Sequence, residues 1–376
     1  MPILLFFMRR IGKLSYPAVL RLGKWLGLLM LTIAKSRREI AARNLELCFP
    51  EFDEQKRAEL LRKNFISTGQ GLAETAWIWN NDGERLKQVS QVHGLENLTN
   101  AQESGSGVLL LCFHLTSLEM GGNCLSNYVP LAAMYRQNRN PDFEKTMTEG
   151  RERHVTHMIE REDVRGMLKA LKSGQTVWYG ADQDYGAKHS VFADFFGIKA
   201  ATVNATLRFT KMTKAKLVPM THFRDLKTSQ FHVRIHPEIE GFAEFDELTA
   251  AQTVNTFLEN YLRGHPADYM WLHRRFKTRP EGEEALYQSK SSPKMRRMID
   301  KHHDDILEHA EIIEGTREKP IKIRRRSGDI MQYFYNPKWY KASPAKKFAQ
   351  QCHYPIKGFY SHPAINAEIV VYTDNE

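Results

Sequence analysis

His114 and Glu119, separated by Leu-Thr-Ser-Leu, are the side chains in this sequence best suited to proton transfer. An imidazole takes up a proton near neutral pH. A carboxylate on one ring nitrogen fixes the tautomer, leaves the other nitrogen as base and stabilises the imidazolium. On one regular helix, side chains five positions apart differ in direction by roughly 140° and diverge. The two can meet only if His114 ends a strand and Glu119 enters the following helix. Gly107-Val-Leu-Leu-Leu-Cys-Phe113 supplies such a strand, since a short unbroken apolar run suits a strand buried on both faces.

Other polar groups stand at corresponding places. Arg136 follows the apolar Leu131 to Tyr135, and Asp182-Gln-Asp-Tyr-Gly186 follows Thr176 to Tyr179. In open α/β sheets, sites form beyond the carboxyl ends of the strands, so His114, Arg136 and Asp182 could converge on one crevice. The plainer alternatives are a surface ion pair for Arg136 and a turn held by Asp182 and Asp184. An Asp-x-Asp pair can also grip a divalent metal and a nucleotide sugar; no cysteine lies nearby to select zinc, and the turn is preferred. Tyr269 to Pro280 sets Arg274 and Arg275 beside Trp271 and Phe276, which suits phosphate or an acidic protein as well as a solvated helix end. His273 in the same block is secondary to His114.

The elements that must position these groups alternate. Strands are expected at 107–113, 131–135, 176–179, 217–220 and 231–235, and helices at 44–79, 117–126, 163–173, 202–213 and 246–263. Alternation of this kind predicts an α/β domain with a central, largely parallel sheet flanked by helices. The polar stretch Gln288 to Pro293 marks a boundary. The expected organisation is a membrane-associating segment at 1–43, a catalytic domain at 44–287 and an extension at 288–376. A charged helix is expected over Lys294 to Ile313.

The formal net charge of +10 is unevenly placed: +8 over residues 1–43, −3 over 44–287 and +5 over 288–376. The basic amino end is also apolar, yet Trp25 to Ala34, its cleanest stretch, has only ten residues where a simple span needs about 20. An interfacial or tilted anchor among anionic headgroups fits better than a clean span, a secretory signal or a soluble packed helix. Charge flanking an apolar segment, with no nucleic-acid-binding signature, argues against nucleic acid as a partner. Cys48, Cys112, Cys124 and Cys352 lack metal-ligand spacing and read as reduced thiols in a cytosol-facing protein.

Taken in order, these residues resemble the late acyltransferases of lipid A biosynthesis, the lauroyl/myristoyl transferase family of Gram-negative inner membranes. The likeness runs from about residue 3 to 287. Its strings run from Ala41-Ala-Arg-Asn-Leu-Glu-Leu-Cys-Phe-Pro50 through the His-x4-Glu element to Tyr135-Arg136, Asn138 and Asn140-Pro141. It continues through Gly166 to Lys172, Val177 to Tyr179, Asp182 to Gly186, Ser190 to Phe192, Ala200 to Thr202 and the Tyr269 to Pro280 block. The tail lies outside it. Glu314-Gly-Thr-Arg317 spells a phosphate-binding string of glycerol-phosphate acyltransferases, but it stands 200 residues after His114 and reads as coincidence.

The resemblance implies a glycerolipid-acyltransferase-like fold at the cytoplasmic face of the inner membrane, among its phospholipids. It implies transfer of a fatty acyl group from acyl carrier protein to the hydroxyl of a 3-hydroxyacyl chain on a Kdo-bearing lipid A precursor, without cofactor or metal. His114 would be the general base and Glu119 its orienting acid. Arg136 would stabilise charge or bind phosphate, with Arg274 and Arg275 also meeting substrate, and Asp182 and Asp184 would shape the pocket. The wider superfamily usually has aspartate at the second position, and glutamate is common in the lipid A branch. The rivals are a phospholipid acyltransferase, a lipid-binding protein without turnover and, more distantly, a metal-dependent sugar transferase.

Overall fold

Val108–Cys112, every residue buried, forms a strand at the middle of a seven-stranded sheet. The computed structural model describes residues 2–287 and five strands between residues 311 and 373. The chain divides into two compact units, residues 1–278 and 279–376.

In the first unit, four helices come before the sheet: α1 (Pro2–Gly12), α2 (Tyr16–Ile33), α3 (Lys35–Cys48) and α4 (Glu54–Ile78). A short α5 (Gly83–Lys87) leads to β1 (Ser90–His93), α6 (Leu95–Glu103), β2 (Val108–Cys112), α7 (Leu118–Leu125) and β3 (Ala132–Tyr135). Next come α8 (Pro141–Arg151), β4 (His157–Glu160), α9 (Val164–Lys172) and β5 (Thr176–Gly180). A hairpin, β6 (Ser190–Phe195) and β7 (Ile198–Val203), precedes α10 (Ala205–Thr213), β8 (Lys216–Asp225), β9 (Gln230–Ile235) and α11 (Glu247–Gly264). The large sheet has the order β1-β9-β8-β2-β5-β3-β4, parallel throughout except where β8 meets β9.

Strand alternation splits the packing between two faces. Leu110, Cys112, Trp178 and Val218 join the cluster that holds Tyr16 and Val19 of α2, Trp77 of α4 and Met120 of α7. Leu109, Leu111 and Tyr179 point the other way, where Phe209 of α10 meets Tyr179 edge-on and Phe257 of α11 stacks on Phe113.

The expected helix at 44–79 is two helices, because Pro50 cannot continue the first and Asp53 caps the second by accepting from Lys56 N–H. The expected helix at 202–213 begins only at Ala205; Ala200 to Val203 are paired in the hairpin. No separate segment ends at residue 43, since α2 packs on α4. A Cβ on Gly69 would stand 2.3 Å from Gly23 O and from Gly27 N, so only glycines allow this crossing. No single helix among the described residues is long and apolar enough to cross a membrane; α2 and α3 together pass that test but bend by 95°. Phe6, Phe7, Trp25, Leu29 and Ile33 are exposed on α1 and α2. Cys48, Cys112 and Cys124 are buried free thiols, and burial pushes Cys124 up to about 12. Cys352 lies outside the described residues.

The second unit begins at Arg279, nine residues before the expected boundary at 288, because Thr278 is still tied to Asp184. Its strands are β10 (Glu311–Gly315), β11 (Pro320–Ser327), β12 (Ile330–Tyr335), β13 (Ile356–His362) and β14 (Ala367–Thr373). They form an antiparallel sheet in the order β10-β11-β12-β14-β13. The expected charged helix therefore gives way at residues 311–313, where Ile312 pairs with Ile323, and its remainder lies outside the described residues.

Candidate active site

β2 and β5 are hydrogen-bonded neighbours, so the chain leaving each strand emerges at the same edge. His114 follows β2 and Asp182 follows β5. Asp182 is 1% exposed and accepts the backbone N–H of His114 on both carboxylate oxygens at 3.1 Å. Its Oδ1 also lies 2.8 Å from His114 Nδ1. A carboxylate only accepts, so Nδ1 carries the proton and Nε2 of the neutral ring is the basic nitrogen. Burial alone would push the Asp182 carboxyl up. The charge of His114 and its hydrogen bonds outweigh that and hold it below the usual carboxylate range.

The loop that presents His114 is held from both sides. Met270 N–H donates to His114 O and Thr116 N–H to Asp268 O, so Tyr269 pairs with Leu115 in a single antiparallel bridge. Asn64 donates to Ala267 O and Tyr269 O, and Asn44 to Trp271 O and His273 O. Tyr269 donates its hydroxyl to Asp182 O. On the other side α4 lies against the loop: a Cβ on Gly71 would come within 1.7 Å of Thr116 O. Gly180 does the same for the ring, since a Cβ there would stand 2.8 Å from His114 Cε1.

Behind the loop lies a buried ion pair. Arg224 binds Glu74 through Nε and Nη2, both at 2.7 Å, and its Nη1 donates to Ser67 Oγ and Thr116 Oγ1. Tyr16 of α2 donates to the same Glu74 carboxylate. An unpaired charge at this depth would be costly, and the fork geometry of arginine satisfies both oxygens.

Glu119 enters α7 as expected, but its carboxylate is bound by Arg151 at the end of α8 and by Trp79 Nε1 at 3.0 Å. Among the described residues it makes no hydrogen bond to His114, whose ring is held by Asp182 instead. Burial lowers the Arg151 guanidinium's proton affinity, and Glu119 more than reverses that, leaving its pKa raised. Arg151 stands 32 residues from Glu119, and tertiary packing that no local spacing encodes brings the two together. Asn44 and Asn64 are legible only as polar residues recurring on helices with buried faces.

The remaining expected residues separate. Arg136 is exposed at the carboxyl end of β3. Asp184 closes a turn, accepting from Gly186 N–H at 2.9 Å, Thr278 N–H at 2.6 Å and Thr278 Oγ1 at 2.7 Å. Arg274 is half-buried. Arg275 is 1% exposed and donates inward to Ala201 O, Thr202 Oγ1 and Asn255 Oδ1, with its guanidinium over the Phe195 ring. It therefore ties β7 to α11 and does not line an open crevice. Burial and the nearby His114 push His273 down, and its buried Nε2 has no hydrogen-bond partner among the described residues. Among the described residues no group of three His, Cys, Asp or Glu is arranged to hold a metal ion.

A mostly parallel sheet carrying a histidine–carboxylate pair at its carboxyl edge suits enzymes that activate a hydroxyl for group transfer. Residues 2–278 match the family model of the bacterial lipid A biosynthesis acyltransferases, and the chain belongs to that family of enzymes. The lipid A biosynthesis lauroyltransferase of Escherichia coli is 41% identical over 278 residues, covering 73% of this chain and 90% of that protein. The lipid A biosynthesis palmitoleoyltransferase of the same organism is 39% identical over 276 residues, with the same coverage. A lipid A biosynthesis acyltransferase of Haemophilus influenzae is 36% identical over 279 residues, 73% of this chain and 88% of that one. These relatives leave about a quarter of the chain unmatched.

Proposed function

We propose that the protein moves a fatty acyl group from the thioester of acyl carrier protein to the hydroxyl of a 3-hydroxyacyl chain on a Kdo-bearing lipid A precursor. The single observation that carries the mechanism is the 2.8 Å contact between His114 Nδ1 and buried Asp182, which leaves Nε2 as the basic nitrogen. His114 Nε2 takes the hydroxyl proton as the oxygen attacks the thioester carbonyl. The tetrahedral intermediate then expels the thiolate, which recovers the proton from the imidazolium. Asp182 stabilises that imidazolium. No acyl-enzyme forms, and the oxyanion needs only positioned donors. Glu119 and Arg151 tie α7 to α8, Asp184 holds the loop after β5, and Arg136 meets acceptor charge at the rim.

The lauroyl and palmitoleoyl donors in the relatives' names support a fatty acyl donor for this chain as well. The apolar side chains exposed on α1 and α2, among the basic residues of the amino end, support seating at the cytoplasmic face of the inner membrane. Mass spectrometry of lipid A from cells with and without the gene tests the reading. The expected difference is the mass of one ester-linked acyl chain. Unchanged lipid A with an altered phospholipid acyl profile would favour a glycerol-phosphate acyltransferase instead.

A further inference from the structure

On the face of the sheet opposite α1 and α2, the neighbouring helices α9 and α10 contain no acidic residue. Their exposed cations are Arg165, Lys169 and Lys172 from α9 and Arg208, Lys211 and Lys214 from α10 and its cap. Positions 165, 169 and 172 follow helical spacing and share one stripe. None of the six forms an ion pair among the described residues; Lys211 donates to Phe245 O. Arg165, Lys169, Lys172 and Ser173 surround the half-buried Leu168 on a shallow, nearly flat patch of α9.

Direction matters as much as charge. α9 ends just before β5 begins and α10 just before β8 begins, so both run back along the sheet from its carboxyl edge. Arg165 therefore stands at the end of the sheet where His114 and Asp182 emerge. Lys172 lies about 10 Å further down the helix.

We infer that the α9–α10 face is the docking surface for the acidic carrier protein that delivers the acyl thioester. This rests on the donor assigned under Proposed function. A soluble acidic protein complements this basic face, its carboxylates meeting the exposed cations around the half-buried Leu168. A lipid surface is the poorer occupant, because the exposed Phe6, Phe7, Trp25 and Ile33 lie on helices packed against the other face of the sheet.

The test is steady-state acyl transfer by the full-length protein and its Arg165→Glu/Lys169→Glu/Lys172→Glu variant, with acyl carrier protein and with a small acyl-pantetheine thioester as donors. The triple variant is expected to raise the KM for the carrier by about tenfold or more, with kcat and the small-thioester rate within about twofold. An unchanged carrier KM, equal losses with both donors, or lost binding to anionic vesicles alone would each overturn the docking surface. If the unmodified protein uses both donors equally well, the carrier-protein donor itself is wrong. Carbodiimide cross-linking of the unmodified protein gives a check independent of the variant's folding: carrier carboxylates should couple to Lys169, Lys172, Lys211 or Lys214. Coupling confined to Lys24 and Lys35 would overturn the proposal.

Discussion

The imidazole of His114 is bound by Asp182, 68 residues later in the chain, and not by Glu119, five residues later. Parallel pairing of β2 with β5 brings the two together, and Asp182 holds both the backbone N–H and the ring of the same residue. That double grip fixes the ring's position and its tautomer at once.

Asp182→Asn removes the charge that stabilises the imidazolium and allows the wrong tautomer. The expected result is a kcat lower by about 10²- to 10⁴-fold, with both KM values within a few-fold. Rate assays on the folded variant check this, and a kcat within about threefold of the unmodified protein would remove Asp182 from the mechanism.

Glu119 and Arg151 hold each other in a mostly buried site, with side chains 11% and 20% exposed. Loss of either partner leaves the other charge poorly solvated. Glu119→Gln and Arg151→Met should each destabilise the protein by about 1–3 kcal/mol, after allowance for partial exposure, and each should slow transfer. The double variant should be no worse than the worse single one. Additive losses in a double-mutant cycle would mean that Glu119 acts independently of Arg151.

The crossing of α2 over α4 depends on bare backbone. Gly69→Ala would drive a methyl group into Gly23 and Gly27 and is expected to cost about 1–3 kcal/mol. Urea unfolding reads the loss directly, and an unshifted midpoint would show that the helices part without cost.

His222, fully buried and bonded to Ser117 Oγ, is pushed down to about 3 by burial and by Arg224. The unfolded ring titrates near 6.5, so below that pH the unfolded chain binds a proton that the folded chain refuses. Stability attributable to this group is complete above pH 6.5 and falls as the pH drops toward 3. Between pH 6.5 and 4.5 the loss is about 2–3 kcal/mol. His222→Gln should flatten that part of the stability curve relative to the unmodified protein, and parallel curves would assign the acid sensitivity elsewhere.

The sheet was legible where the chain leaves no choice. Val108 to Cys112 and Thr176 to Tyr179 are apolar runs too short for helices, and both are central strands. His114 and Asp182 were legible as strand-end residues, but their pairing was not. Strand order is set by tertiary packing, and no local spacing encodes that β5 lies next to β2. The His-x4-Glu spacing suggested a local dyad, whereas α7 carries Glu119 to Arg151. The inward turn of Arg275 was hidden for a similar reason. Its partners, Ala201, Thr202 and Asn255, come from a hairpin strand and a helix whose packing the sequence pattern does not specify.

The most direct measurement is transfer of radiolabelled acyl groups from acyl carrier protein by the purified protein, with a Kdo-bearing lipid A precursor and glycerol phosphate offered side by side. Label should enter the lipid A precursor with the unmodified protein and stay on the carrier with His114→Ala. Label in the glycerol-phosphate product, or undiminished transfer by a folded His114→Ala protein, would contradict the account.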